Sequence, residues 1–259
     1  MTTVEAHPET RTAARTQPRS EFGPRVVLIT GAGSGLGRAT AEVLAGAGMR
    51  VVASDVVESA AEETARILEA NEGQAAWCRL DVRNPNDAEA AIAFAVERFG
   101  GLDVVINNAG TDVTAPFDDL TVEDWDRVID VNLRGPALLT RAAMSKLRES
   151  GHGHVINIAS TAAKRAWEHA SVYHATKWGL LGLSHALHAE LRSQGVKVTA
   201  IVCGGMRTPF LLDRFPDLDP TWLLDPHRVA ETIRFVLEQP DDVVIPEVMV
   251  LPMRETSWP

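Results

Sequence analysis

The sequence predicts an α/β protein: a single-domain, Rossmann-type doubly wound parallel sheet of about seven strands with helices on both faces. Three observations carry that expectation. From Arg25 onward, short β-branched apolar runs alternate with longer alanine-rich amphipathic stretches. The apolar runs are continuous, as in strands covered on both faces. A glycine-rich turn, TGAGSGLG at residues 30–37, joins the first run to the first amphipathic stretch. With 259 residues and 45% hydrophobic content the chain can bury one sizeable core, and no internal repeat or low-complexity linker marks a second domain.

Taken in order, RVVLIT is the first strand and 35–48 its helix; RVVAS leads to a helix over 58–71, AAWCRL to 86–99, and DVVIN to two helical stretches near 121–149. HVINIA then precedes 171–194, KVTAIV precedes 227–239, and EVMVL closes the sheet. Residues 1–24, rich in Thr, Arg, Pro and Glu, read as a flexible solvated tail, and Glu5, Glu9 and Glu21 argue against a transit peptide. The domain therefore spans 25–259. Its segment at about 206–226 contains Phe210, Phe215, Trp222 and four prolines without strand periodicity, as expected of a substrate loop or lid.

A net charge of -10 without a block of like charges argues against nucleic acid or an anionic membrane surface as partner. No apolar stretch reaches the length of a bilayer span, and the first residues lack a secretory pattern. Cys78 and Cys203, the only cysteines, sit in strand-like runs and imply no disulfide framework. A soluble, cytoplasmic protein is expected.

The turn carries chemistry. Gly31, Gly35 and Gly37, with Ser34 and Leu36, let backbone N–H groups approach a pyrophosphate at a helix N-terminus. Asp55, at the end of the second strand, can accept hydrogen bonds from the adenosine ribose hydroxyls and repel a 2′-phosphate; no Arg or Lys directly follows it, which favours NAD over NADP. The same carboxylate could instead cap the next helix. SVYHATK, residues 171–177, holds the only tyrosine, and its i, i+4 spacing puts Tyr173 and Lys177 on one helix face, a spacing that also serves an ordinary surface pair. His185 and His188 lack a third ligand of suitable spacing and read as packed or interface residues; His152 and His154 read as loop residues before the fifth strand. No metal is expected.

In this order the motifs resemble the short-chain dehydrogenase/reductase family, in its compact branch, from about Arg25 to near the end. The turn follows T-G-x-x-x-G-x-G, and Ser34 stands where the extended branch has glycine, which argues against a sugar-nucleotide epimerase or dehydratase. LDV (80–82), NNAG (107–110) and DVNLRG (130–135) follow, and Ser160 precedes Tyr173 by the family's interval. The resemblance implies that Asp81 and Val82 lie against the adenine. It places Asn108, Ala109 and Gly110 in the cofactor cleft, with Met206 and Thr208 against the nicotinamide carboxamide. It makes Asn132, Ser160, Tyr173 and Lys177 catalytic, the last two also touching the cofactor. Cys203 occupies the place of the family's usual proline, and the carboxyl end lacks the usual Gly-rich turn, leaving Trp258 without a role.

The implied function is NAD(H)-dependent hydride transfer between nicotinamide and a secondary alcohol or ketone. Tyr173 would move the proton, its phenol lowered from about 10 by Lys177 and the oxidised nicotinamide. Ser160 would hold the substrate oxygen, and Asn132 would anchor a water linking Lys177 to solvent. Val113, Ala162, Trp167, Met206, Phe210 and Phe215 would wall an apolar, polar-rimmed pocket suited to hydrophobic, cyclic or aromatic alcohols, unless Lys164 or Arg165 binds a carboxylate. The alternatives are an NADP-dependent biosynthetic ketoreductase, disfavoured by Asp55, and a non-catalytic dinucleotide-binding regulatory protein, which needs no such tetrad. The resemblance also implies a homo-oligomer, dimer or tetramer, packed through the helices at 121–149 and 171–194. KWGLLGLSHALHAEL supports this with apolar residues on more than one side.

Overall fold

A computed structural model describes residues 25–254; the tail at 1–24 and Trp258 lie outside them. Seven parallel strands run β1 (Val26–Thr30), β2 (Arg50–Asp55), β3 (Gln74–Arg79), β4 (Val104–Asn107), β5 (His154–Ser160), β6 (Lys197–Cys203) and β7 (Glu247–Val250), in the order β3-β2-β1-β4-β5-β6-β7. The order reverses between β1 and β4, so a crevice opens at their carboxyl ends.

Burial on both faces explains the unbroken apolar runs. In β1, Val27 and Ile29 join one core cluster while Val26 and Leu28 join the other. The first cluster is covered by α1 (Gly35–Gly46), α2 (Glu58–Ala70) and α8 (Pro226–Leu237) through Leu44, Leu68 and Ile233. The second is covered by α3 (Pro85–Phe99), α5 (Gly135–Ser150) and α6 (Ser171–Leu191) through Ile92, Leu139, Leu147 and Leu191. Between α4 (Val122–Ile129) and α5 the chain makes a π turn at Asp130–Arg134.

A chain of buried polar groups crosses this second face. Asn107 donates to Asn157 (2.8 Å) and Thr140 (3.2 Å), Asn157 donates to Ser184 (2.9 Å), and Ser184 donates to the Leu180 carbonyl (2.7 Å). Each donor finds an acceptor, which is the condition for burying such groups.

One local expectation is corrected. His154 is not a loop residue: it opens β5, is fully enclosed and bonds the Thr199 hydroxyl through Nε2 at 2.8 Å. Burial, with Lys197 and Arg25 nearby, pushes its imidazole down to about 3, so it is neutral. The segment after β6 is locally ordered. It forms α7 (Pro209–Leu212) and a helical turn at Pro220–Trp222, and Met206 bridges to Leu224. No helix among the described residues is long and apolar enough to cross a membrane.

Candidate active site

The carboxyl ends of the strands open onto a cleft of about 970 Å³. At one end is the glycine turn. Gly31 has φ 64°, and a Cβ on Gly37 would lie 2.1 Å from the Gly31 carbonyl oxygen, so this turn admits no side chain at 37. The Asn108 side chain clamps the turn from β4, donating to the carbonyls of Thr30 (2.8 Å) and Gly31 (3.2 Å), while Thr30 Oγ1 accepts from the Asn108 and Ala109 N–H groups at 3.0 Å. Ser34 precedes α1 with no side-chain cap bond, leaving the first N–H groups of the helix facing the cleft.

Asp55 is not the cap of α2, whose N-cap is Val57. It stands two residues earlier, and its carboxylate accepts the N–H of Gly33 (3.0 Å) and of Val57 (3.0 Å). A carboxylate has about four lone-pair directions, so capacity remains for ribose hydroxyls. Together the barred Cβ positions, the free helix N-terminus and this fixed carboxylate fit a dinucleotide. Gly37→Ala should therefore strain the turn by about 1–3 kcal/mol and lose dinucleotide binding, a loss that calorimetric titration would record.

Further along the cleft, Ser160, Tyr173 and Lys177 converge. Ser160 ends β5, and its hydroxyl accepts the Ala162 N–H at 3.1 Å and shares a hydrogen bond with the Tyr173 phenol. Lys177, one turn beyond Tyr173 on α6, is buried; its ammonium donates to the Ile158 carbonyl at 2.8 Å and lies 5.6 Å from the Tyr173 ring centre. Burial dominates the titration of both. It raises the phenol above its ordinary 10.0, with the Asp112 carboxylate adding to the shift and the Ser160 hydrogen bond opposing it. It pushes the ammonium down to about 8. Burial is thus what Lys177 and an oxidised nicotinamide together would have to overcome to bring the phenol into range.

Of the predicted residues, Gly31, Ser34, Gly35, Leu36, Asp55, Asp81, Val82, Asn108, Ala109, Gly110, Ser160, Tyr173, Lys177, Met206 and Thr208 line the cleft. Gly37 lies beneath the turn. Asn132, in the π turn, is buried behind the loop that follows β4. Its amide donates to the Thr111 carbonyl (2.8 Å) and Thr176 hydroxyl (3.2 Å) and accepts the Thr111 N–H (2.8 Å), so both of its amide donors are already engaged. Cys203 keeps its loop fixed without proline: it pairs with Ser160 and Val250, and the Gly204 N–H donates to the Val250 carbonyl at 2.9 Å.

On the substrate side, Trp167, Met206, Phe210 and Phe215 are walls, whereas Val113 and Ala162 are not. Ala162 is buried in the turn after β5, and Asp112 and Thr114 face inward where Val113 does not. Asp112 pairs with Arg214, and Arg127 donates to the Thr111 hydroxyl at 2.7 Å. Asp112 and Arg214 escaped sequence reasoning because they sit on loops, where no periodicity places them, and Arg127 because nothing in the pattern of α4 marks it as facing a cleft.

The family profile described as short chain dehydrogenase matches residues 25–219. The chain belongs to that family. Other oxidoreductases are similar over nearly the whole length. An uncharacterized oxidoreductase of Staphylococcus haemolyticus is 33% identical over 234 residues, 90% of this chain and 100% of that one. Among solved structures, levodione reductase has 31% identity and a TM-score of 0.83, covering 92% of this chain and 100% of its own. An alcohol dehydrogenase from the archaeon Thermococcus sibiricus, complexed with 5-hydroxy-NADP, has 27% identity and a TM-score of 0.84, covering 90% and 99%. A metagenomic short-chain oxidoreductase in complex with NADP has 30% identity and a TM-score of 0.79, with the same coverage. This short-chain dehydrogenase is accordingly an oxidoreductase of a family that binds a nicotinamide dinucleotide.

Proposed function

We propose that this protein is an NAD(H)-dependent oxidoreductase of secondary alcohols and ketones, with Asn132, Ser160, Tyr173 and Lys177 as its working residues. The observation that carries it is the meeting of Ser160, Tyr173 and Lys177 in the cleft that Asp55 closes at its far end. A bound nicotinamide supplies or accepts the hydride. Ser160 holds the substrate oxygen through its hydroxyl. Tyr173 transfers the proton at that oxygen, and its burial keeps the phenol protonated, ready to donate, until positive charge enters the cleft. Lys177, pinned by Ile158, provides the fixed cation of the chain itself. Asn132 holds the Thr111 loop against α6.

Two solved relatives carry NADP forms, yet this chain gives a 2′-phosphate little to bind. Exposed Val56 and Val57 follow Asp55, and Arg38, the first basic residue after the turn, is engaged with the Gly33 carbonyl (2.5 Å) and Thr64 hydroxyl (3.1 Å). A panel of alcohols and ketones, assayed with both cofactors, tests the proposal; absence of turnover throughout, or preference for NADP, overturns it.

Lys177 also makes stability depend on pH. Its folded value, about 8, lies below the ordinary 10.5, so above pH 8 the unfolded chain binds the extra proton and stability rises with pH. Cys203, pushed up to about 12 from 9.0, opposes this rise above pH 9, because there the folded chain keeps a thiol proton that the unfolded chain loses. Urea unfolding between pH 7.5 and 9 should thus show a rising slope that Lys177→Met lacks.

Two free thiols support a reducing, cytoplasmic setting. A dimer or tetramer is supported by exposed Trp178 on α6 and by Phe117 and Val122 near α4, with Phe117 packed on Trp125 at 6.2 Å. Light scattering at micromolar concentration should give a multiple of 28.0 kDa, and a monomer would refute it.

A further inference from the structure

The substrate end of the cleft holds an ion pair that hydride and proton transfer do not require. Asp112, in the loop after β4, and Arg214, in the loop after α7, are 102 positions apart and joined by a hydrogen bond from Nη1 to Oδ2. Their side chains are 6% and 25% exposed. Withdrawing two charges from water among aromatic walls is costly unless further hydrogen bonds compensate.

The guanidinium has a backbone partner and two ring neighbours besides Asp112. Its Nε donates to the Phe210 carbonyl at 2.8 Å, and its Cζ lies 4.3 Å from the centre of the Phe210 ring and 5.6 Å from that of Phe215. Asp112 is itself fixed by the Val113 N–H at 2.7 Å. Of the five N–H bonds that a guanidinium carries, the described residues take two, and the rest belong to a side chain that lines the cleft. Phe210 also packs toward Tyr173, their ring centres 6.0 Å apart, so one aromatic wall joins these donors to the phenol.

We infer that Arg214 is a specificity residue: its spare N–H groups bind a second oxygen of the substrate, so the enzyme selects alcohols and ketones that carry a further carbonyl or hydroxyl group away from the reacting carbon. Asp112 already balances the cation. A neutral oxygen is therefore matched, whereas a carboxylate would meet Asp112 as well as Arg214. The pocket is then apolar along its walls and polar at one built point, which narrows the hydrophobic, cyclic or aromatic alcohols expected of it. The inference rests on the oxidoreductase reading above.

Cyclohexanone, its ring diones, hydroxycyclohexanones and keto-cyclohexanecarboxylates would be assayed with wild type, Arg214→Met and Arg214→Lys, each variant checked by thermal unfolding. In wild type the best dione or hydroxyketone should exceed cyclohexanone by about 10-fold or more in kcat/KM, mainly through KM, as for a charge-assisted hydrogen bond. Arg214→Met should bring that ratio close to unity, and Arg214→Lys should restore part of it. A wild-type ratio near unity, a ratio that survives in folded Arg214→Met, or a preference for the carboxylates overturns the inference. Should Arg214→Met not fold, the wild-type ratio and the Lys variant decide. Failure to reduce any ketone with either cofactor overturns instead the reading on which it rests.

Discussion

Tyr173→Phe is expected to lower kcat by roughly 10²–10⁴-fold, the range of a general acid or base, while dinucleotide affinity stays close to wild type. The substitution removes one hydroxyl and little volume. The ring keeps its packing on Phe210 and under Lys177, and only the hydrogen bond with Ser160 is lost. Because Tyr173 is the only tyrosine, ultraviolet titration of tyrosinate reads this group alone. Without cofactor the titration should lie above the ordinary 10.0, since burial opposes the phenolate. With NAD bound it should fall, as the nicotinamide cation enters beside the phenol. A variant keeping more than about a tenth of wild-type kcat would remove Tyr173 from the mechanism.

Asp55→Ser is expected to erase most of a preference for NAD that should reach roughly 10²-fold in kcat/KM, the consequence of setting a carboxylate against a 2′-phosphate. The carboxylate does two things at once, because it also holds the N–H groups of Gly33 and Val57. Serine is too short to keep both, so the variant should lose some efficiency with NAD as well as gain with NADP. Val56→Arg separates the two effects: Val56 is exposed and lines the cleft, so an arginine there adds a phosphate partner and leaves Asp55 and its turn in place. Steady-state kinetics with both cofactors on the three proteins decide the matter. Wild type already favouring NADP would reverse the assignment.

The fold could be read from the sequence because the central strands bury both faces, so pattern alone separates Val26–Thr30 from the amphipathic Gly35–Gly46. The cofactor end was legible for a related reason: its glycines and Asp55 lie beside strand ends, and topology brings those ends together. What pattern could not supply was pairing between loops. Asp112 and Arg214 meet across the cleft from segments without periodicity, and only folding shows that the loop after α7 returns to β4. His154 misled because a polar residue at the start of a run looks like a loop, whereas Thr199 on the neighbouring strand gives it a partner. The side chain of Asn132 serves Thr111 and Thr176, contacts no local pattern encodes.

The clamp of Asn108 on the glycine turn bears on how the chain acquires its site during synthesis. β1 pairs with β2 nearby in sequence but needs β4 on its other side, Val27 facing Val104. Residues 30–37 are thus made early, and their carbonyls at Thr30 and Gly31 wait for Asn108 to emerge. A nascent chain ending before β4 has the complete nucleotide motif in its covalent sequence and no finished turn. Distant pairings of this kind form slowly, since loop closure precedes their reward. The dinucleotide can therefore act only as a late stabiliser, favouring chains that have already joined β1 to β4 and offering nothing to those that have not.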